Sequence, residues 1–116
     1  MLSYKKKHVT YANGKTMLEA EMVDDSKRIL GSFLTNDVSM YYQVIVDSLK
    51  EVISGEKDLC EFNGNTCFMS ARKNGATVFC DIENVYIGDD CTVTPEELLA
   101  LVNAWHEDLV ASGTET

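Results

Sequence analysis

Residues 57–91 read KDLCEFNGNTCFMSARKNGATVFCDIENVYIGDDC, three β-prone runs separated by two Asn-Gly pairs, Asn63-Gly64 and Asn74-Gly75. Asn-Gly between alternating residues is the strongest short-range hairpin signal, because a type I′ turn needs a positive φ at both central positions. The stretch predicts a three-stranded meander, and so restricts the chain to folds built on an antiparallel sheet. Two-residue turns at both pairs set Phe62 against Asn65, Cys60 against Cys67, Ala71 against Val78 and Met69 against Cys80. Side chains alternate across a strand, so this register gathers Cys60, Phe62, Cys67, Met69, Ala71, Val78, Cys80 and Ile82 on one face. The other face takes Glu61, Thr66, Phe68, Ser70, Arg72, Thr77, Phe79, Asp81 and Glu83. It is polar except for Phe68 and Phe79, which this register makes diagonal neighbours.

A third pair, Asn13-Gly14, separates residues 3–11 from 15–23 and predicts another hairpin. Pairing about it puts Val9, Tyr11, Leu18, Ala20 and Met22 on one face, with His8, Thr10, Met17, Glu19 and Glu21 on the other. Lys5, Lys6 and Lys7 read as a solvated edge whose charge opposes sheet-to-sheet aggregation. After a turn at Asp24-Asp25-Ser26, residues 27–34 read as a third strand weakened by Gly31. Asn36 or Asp37 then caps a helix over 38–54, closed by Gly55. Its apolar stripe is Val38, Tyr41, Tyr42, Ile45, Leu49, Val52 and Ile53.

The clearest local signal opens the second helix: Thr94 as N-cap, Pro95 at the first helical position and Glu97 completing a capping box. Leu98, Leu101, Val102, Trp105 and Leu109 form its buried stripe, which assigns Trp105 to the core. Residues 111–116 read as a frayed tail. The expected fold is α+β: one domain spanning 1–116, two-layer, with an antiparallel sheet of five or six strands and two helices.

Charge separates the two parts of the chain. Residues 1–73 hold ten Lys/Arg and ten Asp/Glu, whereas 74–116 hold nine acids and no Lys or Arg, so the whole net charge of −9 lies in the last third. Such a field repels nucleic acid and membrane phosphate and speeds association with a basic protein. Glu107 and Asp108 lie near the end of the second helix, where the helix dipole disfavours acids, and no neighbouring basic residue offsets them. No apolar run is long enough to span a bilayer and no signal-peptide core follows the lysines, so the expected location is cytoplasmic. There Cys60, Cys67, Cys80 and Cys91 behave as reduced, small hydrophobic residues, although the predicted Cys60/Cys67 pair has the spacing of a disulfide.

Nothing in the sequence composes a catalytic set. His8 and His106 stand outside any recognisable motif, there is no phosphate loop or nucleophile elbow, and Asp89-Asp90 is explained by a turn. The chain is therefore expected to be no enzyme and to need no cofactor or metal. Binding is better supported. Glu61, Phe68, Phe79, Asp81, Glu83, Asp89, Asp90, Glu107 and Asp108 are the candidate partner-binding residues, aromatic anchors among acids.

The run from Ile29 to Asp37 (ILGSFLTND), Ser54-Gly55-Glu56, Phe62-Asn63-Gly64-Asn65 and Pro95-Glu96-Glu97-Leu98-Leu99 with Trp105 together carry a resemblance. In this order they resemble small bacterial immunity proteins of contact-dependent growth inhibition (CdiI-type) and the related YacL-like proteins. The resemblance implies a cytoplasmic protein that binds and neutralises a cognate toxin domain, often a nuclease. A basic nuclease would suit an acidic inhibitor. The alternative is a homodimeric structural or regulatory domain closed through the Phe68/Phe79 face or an edge strand.

Overall fold

The computed structural model describes residues 2–79 and 91–113. Strands β1 (Tyr4–Thr10) and β2 (Thr16–Met22) form a hairpin. A helical run follows, made of a 3₁₀ turn (Asp25–Lys27), α1 (Arg28–Ser32), a π-helical stretch (Phe33–Val38) and α2 (Ser39–Ser54). Strands β3 (Cys60–Asn63), β4 (Phe68–Arg72), β5 (Gly75–Phe79) and β6 (Cys91–Val93) make a second antiparallel sheet in that order, and α3 (Pro95–Ser112) closes the described chain. The α+β class is as expected, but the six described strands divide between two sheets.

The turns fall elsewhere than the Asn-Gly pairs suggest. Cys60 faces Ala71 and Phe62 faces Met69, so residues 64–67 form a loop closed by Gly64 N–H donating to the Cys67 carbonyl at 2.8 Å. Cys60 and Cys67 are therefore not cross-strand partners. In the next hairpin Arg72 faces Gly75, which moves the turn to Lys73-Asn74 and makes Phe68 and Phe79 direct partners rather than diagonal ones. Both shifts move the pairing by an even number of residues, so every described side chain keeps its predicted face. Cys60, Phe62, Cys67, Met69, Ala71 and Val78 are all buried. Cys80 and Ile82 lie outside the described residues, as does the run Val85-Tyr86-Ile87.

The first hairpin slips by one residue, and the consequence is different. Tyr11 N–H donates to Lys15 O at 2.8 Å and Gly14 N–H to Tyr11 O at 2.9 Å, giving a three-residue loop with Gly14 at φ 85°. His8 now faces Leu18, Lys6 faces Ala20 and Tyr4 faces Met22. An odd shift turns β1 over relative to β2. Val9 therefore pairs with Met17, and Lys7 comes within ion-pair contact of Glu21.

Residues 27–34 are helical, not a strand. Ile29, Leu30, Phe33, Leu34 and Val38 are all fully buried, because the run touches β2 on one side and β5 on another. Its solvent side is narrow, Arg28, Ser32 and Asn36 at helical spacing, so within 29–34 the apolar residues outnumber the single half-exposed Ser32 and the helical period is hard to read. Gly31 lets it approach, since a Cβ there would lie 2.8 Å from the Ala20 carbonyl oxygen. Thr35 Oγ accepts the Ala20 N–H at 2.9 Å, satisfying part of the open edge of β2.

Because the helix begins upstream, Asn36 and Asp37 cap nothing. Asp37 sits inside the π-helical stretch with no solvent exposure. Its Oδ1 accepts the backbone N–H groups of Asn65 at 2.6 Å and Thr66 at 3.1 Å, and Oδ2 accepts that of Cys67 at 2.8 Å. Three donors offset the desolvation that a buried carboxylate would otherwise suffer. Gly64 leaves room for it, as a Cβ there would fall 2.4 Å from Asp37 Cγ.

The remaining elements follow expectation closely. Gly55 ends α2 at φ 83°. Thr94 Oγ accepts Glu97 N–H at 3.0 Å while Glu97 Oε1 accepts Thr94 N–H at 3.2 Å, completing the capping box. α3 runs on through Ala111 and Ser112 to Gly113 at φ 79°, beyond the expected start of the frayed tail. Trp105 is fully buried, its indole N–H donating to Ser39 Oγ at 3.1 Å.

Asp37→Asn puts an amide donor against backbone donors and should cost about 2 to 4 kcal/mol, even after relief of a buried charge. Urea unfolding should show a lower midpoint at unchanged slope; a midpoint equal to wild type would mean that the carboxylate does not hold the loop.

Candidate partner-binding surface

The sheet face opposite the core brings together three of the expected residues. Glu61 is exposed on β3, and the half-buried Phe68 and Phe79 stack with centroids 5.4 Å apart and planes 17° from parallel. Direct cross-strand pairing makes this stack possible, because facing side chains are closer than diagonal ones. Asp81, Glu83, Asp89 and Asp90 lie outside the described residues. Glu107 is exposed on α3, on a different element from the aromatic pair.

No basic residue of α3 offsets the acids of its last turns, but Asp108 finds a distant one. It accepts a hydrogen bond from the Tyr4 hydroxyl and lies 3.6 Å from Lys6 Nζ. Both partners come from β1, over a hundred residues away in sequence, which local reading of α3 could not supply. Tyr4 also meets Trp105 edge to face at 5.6 Å. The N-terminal hairpin is thus docked on α3 through one aromatic contact and one carboxylate. Burial first, then the hydrogen bond and charge of Asp108, raise the Tyr4 pKa well above its ordinary value.

A groove of about 720 Å³ lies where β2, the π-helical stretch, the start of α2, the 64–67 loop and α3 converge. Its lining includes Met17, Asn36, Met40, Gln43, Asn65 and Thr66 and, among the described residues, no Asp, Glu, Lys or Arg. Met40 is 66% exposed and Met17 37%. Tyr42 and His106 form one wall, stacked at 3.7 Å, with the Tyr42 hydroxyl donating to Asn103 Oδ1 at 2.7 Å. Tyr41 has non-helical backbone angles (φ −121°, ψ 30°), so α2 is kinked at the groove. The sequence carries no separate signal for this site. A lone acid amid Leu34 and Val38 is the one hint, and it marks Asp37, which holds the loop, rather than the lining.

No group of three His, Cys, Asp or Glu among the described residues is placed to hold a metal ion. Cys60, Cys67 and Cys91 are buried, and burial raises the Cys91 thiol pKa, disfavouring the reactive thiolate. No helix of the described residues is long and apolar enough to cross a membrane.

A curated protein of Bacillus cereus named "Immunity protein" is 26% identical over 95 residues, covering 82% of this chain and 79% of that one. This similarity supports an immunity-protein family. No protein-family model matches the chain, and no solved structure matches it significantly.

Tyr4→Phe should destabilise the protein modestly near neutrality. A raised folded pKa means that the protonated hydroxyl contributes stability below the ordinary tyrosine value of 10.0, which is lost as pH rises from there towards the folded value. The stability gap between wild type and variant, followed by thermal melts from pH 7 upward, should therefore narrow in alkali; a gap independent of pH would contradict the Tyr4–Asp108 linkage.

Proposed function

We propose that this protein is an immunity protein, which binds the toxin domain of a cognate effector and neutralises it without catalysis. The observation that carries the reading is the similarity to the Bacillus cereus immunity protein, which extends over most of both chains. Contact-dependent growth inhibition is the setting that the sequence motifs favour, with the protein acting in the cytoplasm.

The charge distribution supports a finer statement about the partner. Nine acids and no Lys or Arg after residue 73 create a one-signed field, which accelerates encounter with a basic surface. A nuclease domain has such a surface because it must hold phosphate. Asp81, Glu83, Asp89 and Asp90 are proposed as the steering acids, with Glu61 and Glu107 adding to the field. Phe68 and Phe79 are proposed as anchors at its border. Asp108 contributes less than its neighbours, being already engaged by Tyr4 and Lys6.

A second reading, a two-fold dimer closed through the sheet, is favoured by the Phe68–Phe79 stack on an otherwise polar face. Sedimentation separates the two: a monomer at tens of micromolar, unaffected by Phe68→Ser, removes the dimer.

The direct experiment is affinity capture of the product of the adjacent upstream gene, followed by association kinetics. Replacing Asp81, Glu83, Asp89 and Asp90 with Asn or Gln should lower kon by about tenfold at low salt, and the difference should shrink as salt rises. Unchanged kon would place the steering charge elsewhere, and failure to capture any toxin would remove the immunity reading.

A further inference from the structure

We infer that the groove beside the 64–67 loop is the desolvated centre of the toxin interface, occupied by an uncharged, extended segment of the toxin domain. This inference rests on the immunity reading, and assigns to the groove the tight contact that the acids do not provide. Charged residues make up 25% of the chain, yet no Asp, Glu, Lys or Arg among the described residues lines the groove. Burying it beneath a partner therefore strips no ion of its water, whereas covering the acidic surface would. Interface centres are depleted in charge and enriched in Met and aromatic residues, with charges left to the rim.

The side chains present match a peptide main chain. Asn36, Gln43 and Asn65 carry amides, each with the donor and acceptor that a backbone unit presents in reverse. That of Asn65 makes only long contacts in the free protein, accepting from the Tyr41 hydroxyl at 3.5 Å and donating to Met40 Sδ at 3.4 Å, which a partner would replace. Asn36 makes no side-chain hydrogen bond among the described residues, and Gln43 uses its Nε2 on Asp47 at 2.9 Å, leaving the oxygen available. Met17 and Met40 supply exposed, adaptable apolar surface between these amides. A small-molecule pocket would enclose most of its ligand. Here Met40 is 66% exposed, which suits a strand of protein laid along the groove.

Preorganisation is the second argument. The three N–H bonds to buried Asp37 hold Asn65 and Thr66 in place before any partner arrives. The π-helical stretch that carries Asp37 also lines the groove through Thr35 and Asn36, and π-turns occur preferentially at functional sites. A surface already ordered loses less entropy on binding, so its contacts slow dissociation.

The test measures both rate constants against an immobilised, catalytically inactive form of the toxin encoded upstream, at low and at physiological salt. Two variants, Asn36→Ala/Met40→Ala and Gln43→Ala/Asn65→Ala, change exposed side chains only and preserve every backbone bond to Asp37. Each should raise koff by about tenfold while leaving kon within about twofold at both salts. A koff within about twofold of wild type for both variants overturns the inference while leaving the immunity reading intact. A wild-type protein that binds no toxin overturns both.

Discussion

The carboxylate of Asp37 ties the two halves of the molecule together. It projects from a helical run that packs against the N-terminal hairpin, and it accepts three N–H groups from the loop that joins the first two strands of the second sheet. Two sequence features become intelligible only through it. Gly64 is needed for space and not for a left-handed turn, and the loop lengthens because its amides find an acceptor outside the hairpin. The cost of burying the charge is offset only while all its donors stay in place, which makes this contact cooperative with the fold.

Around that contact the helices are held from two sides. Gly31 brings α1 against the backbone of β2, Thr35 takes up an edge N–H of that strand, and Tyr4 carries β1 onto Trp105 and Asp108. On the other side Phe62 meets Phe33 and Tyr41 edge to face, at 6.5 and 5.6 Å. The open face of the second sheet and the groove at the start of α2 are left for solvent or a partner. One carries an aromatic pair near the acidic third, and the other is neutral and rigidly framed. Long-range charge suits encounter and a neutral, ordered groove suits retention, the division of work that the proposed inhibitor role would require.

How much of this was legible in the residues depended on how local the signal was. The capping box at Thr94 and Glu97 and the stripe around Trp105 were readable because each depends on residues within a turn or two of one another. The faces of the meander were readable for a different reason. Alternation survives any even shift, so the core came out right although both turns were misplaced. The odd slip at Asn13-Gly14 had no such protection, and β1 turned over. Residues 27–34 resembled a strand because a helix that leaves only a narrow stripe to solvent, here Arg28 and Ser32, shows little of its period over so short a run. Of the candidate site, the aromatic pair and the acidic bias could be read directly. The groove could not, since its lining comes from five elements, and the engagement of Asp108 could not, since its partners lie at the other end of the chain.

The sequence by itself determined the antiparallel meander, the two long helices and the glycine that closes the first, the buried stripes and the concentration of negative charge. These follow from periodicity, capping chemistry and composition, which act over a few residues or over the whole chain. Tertiary structure alone decided the strand registers, the helical state of residues 28–38 and the burial of Asp37. Each of these is settled by a competition between a local preference and a distant partner. For Asn63-Gly64, three amides on one buried carboxylate outweighed the tightest turn the residues could have made.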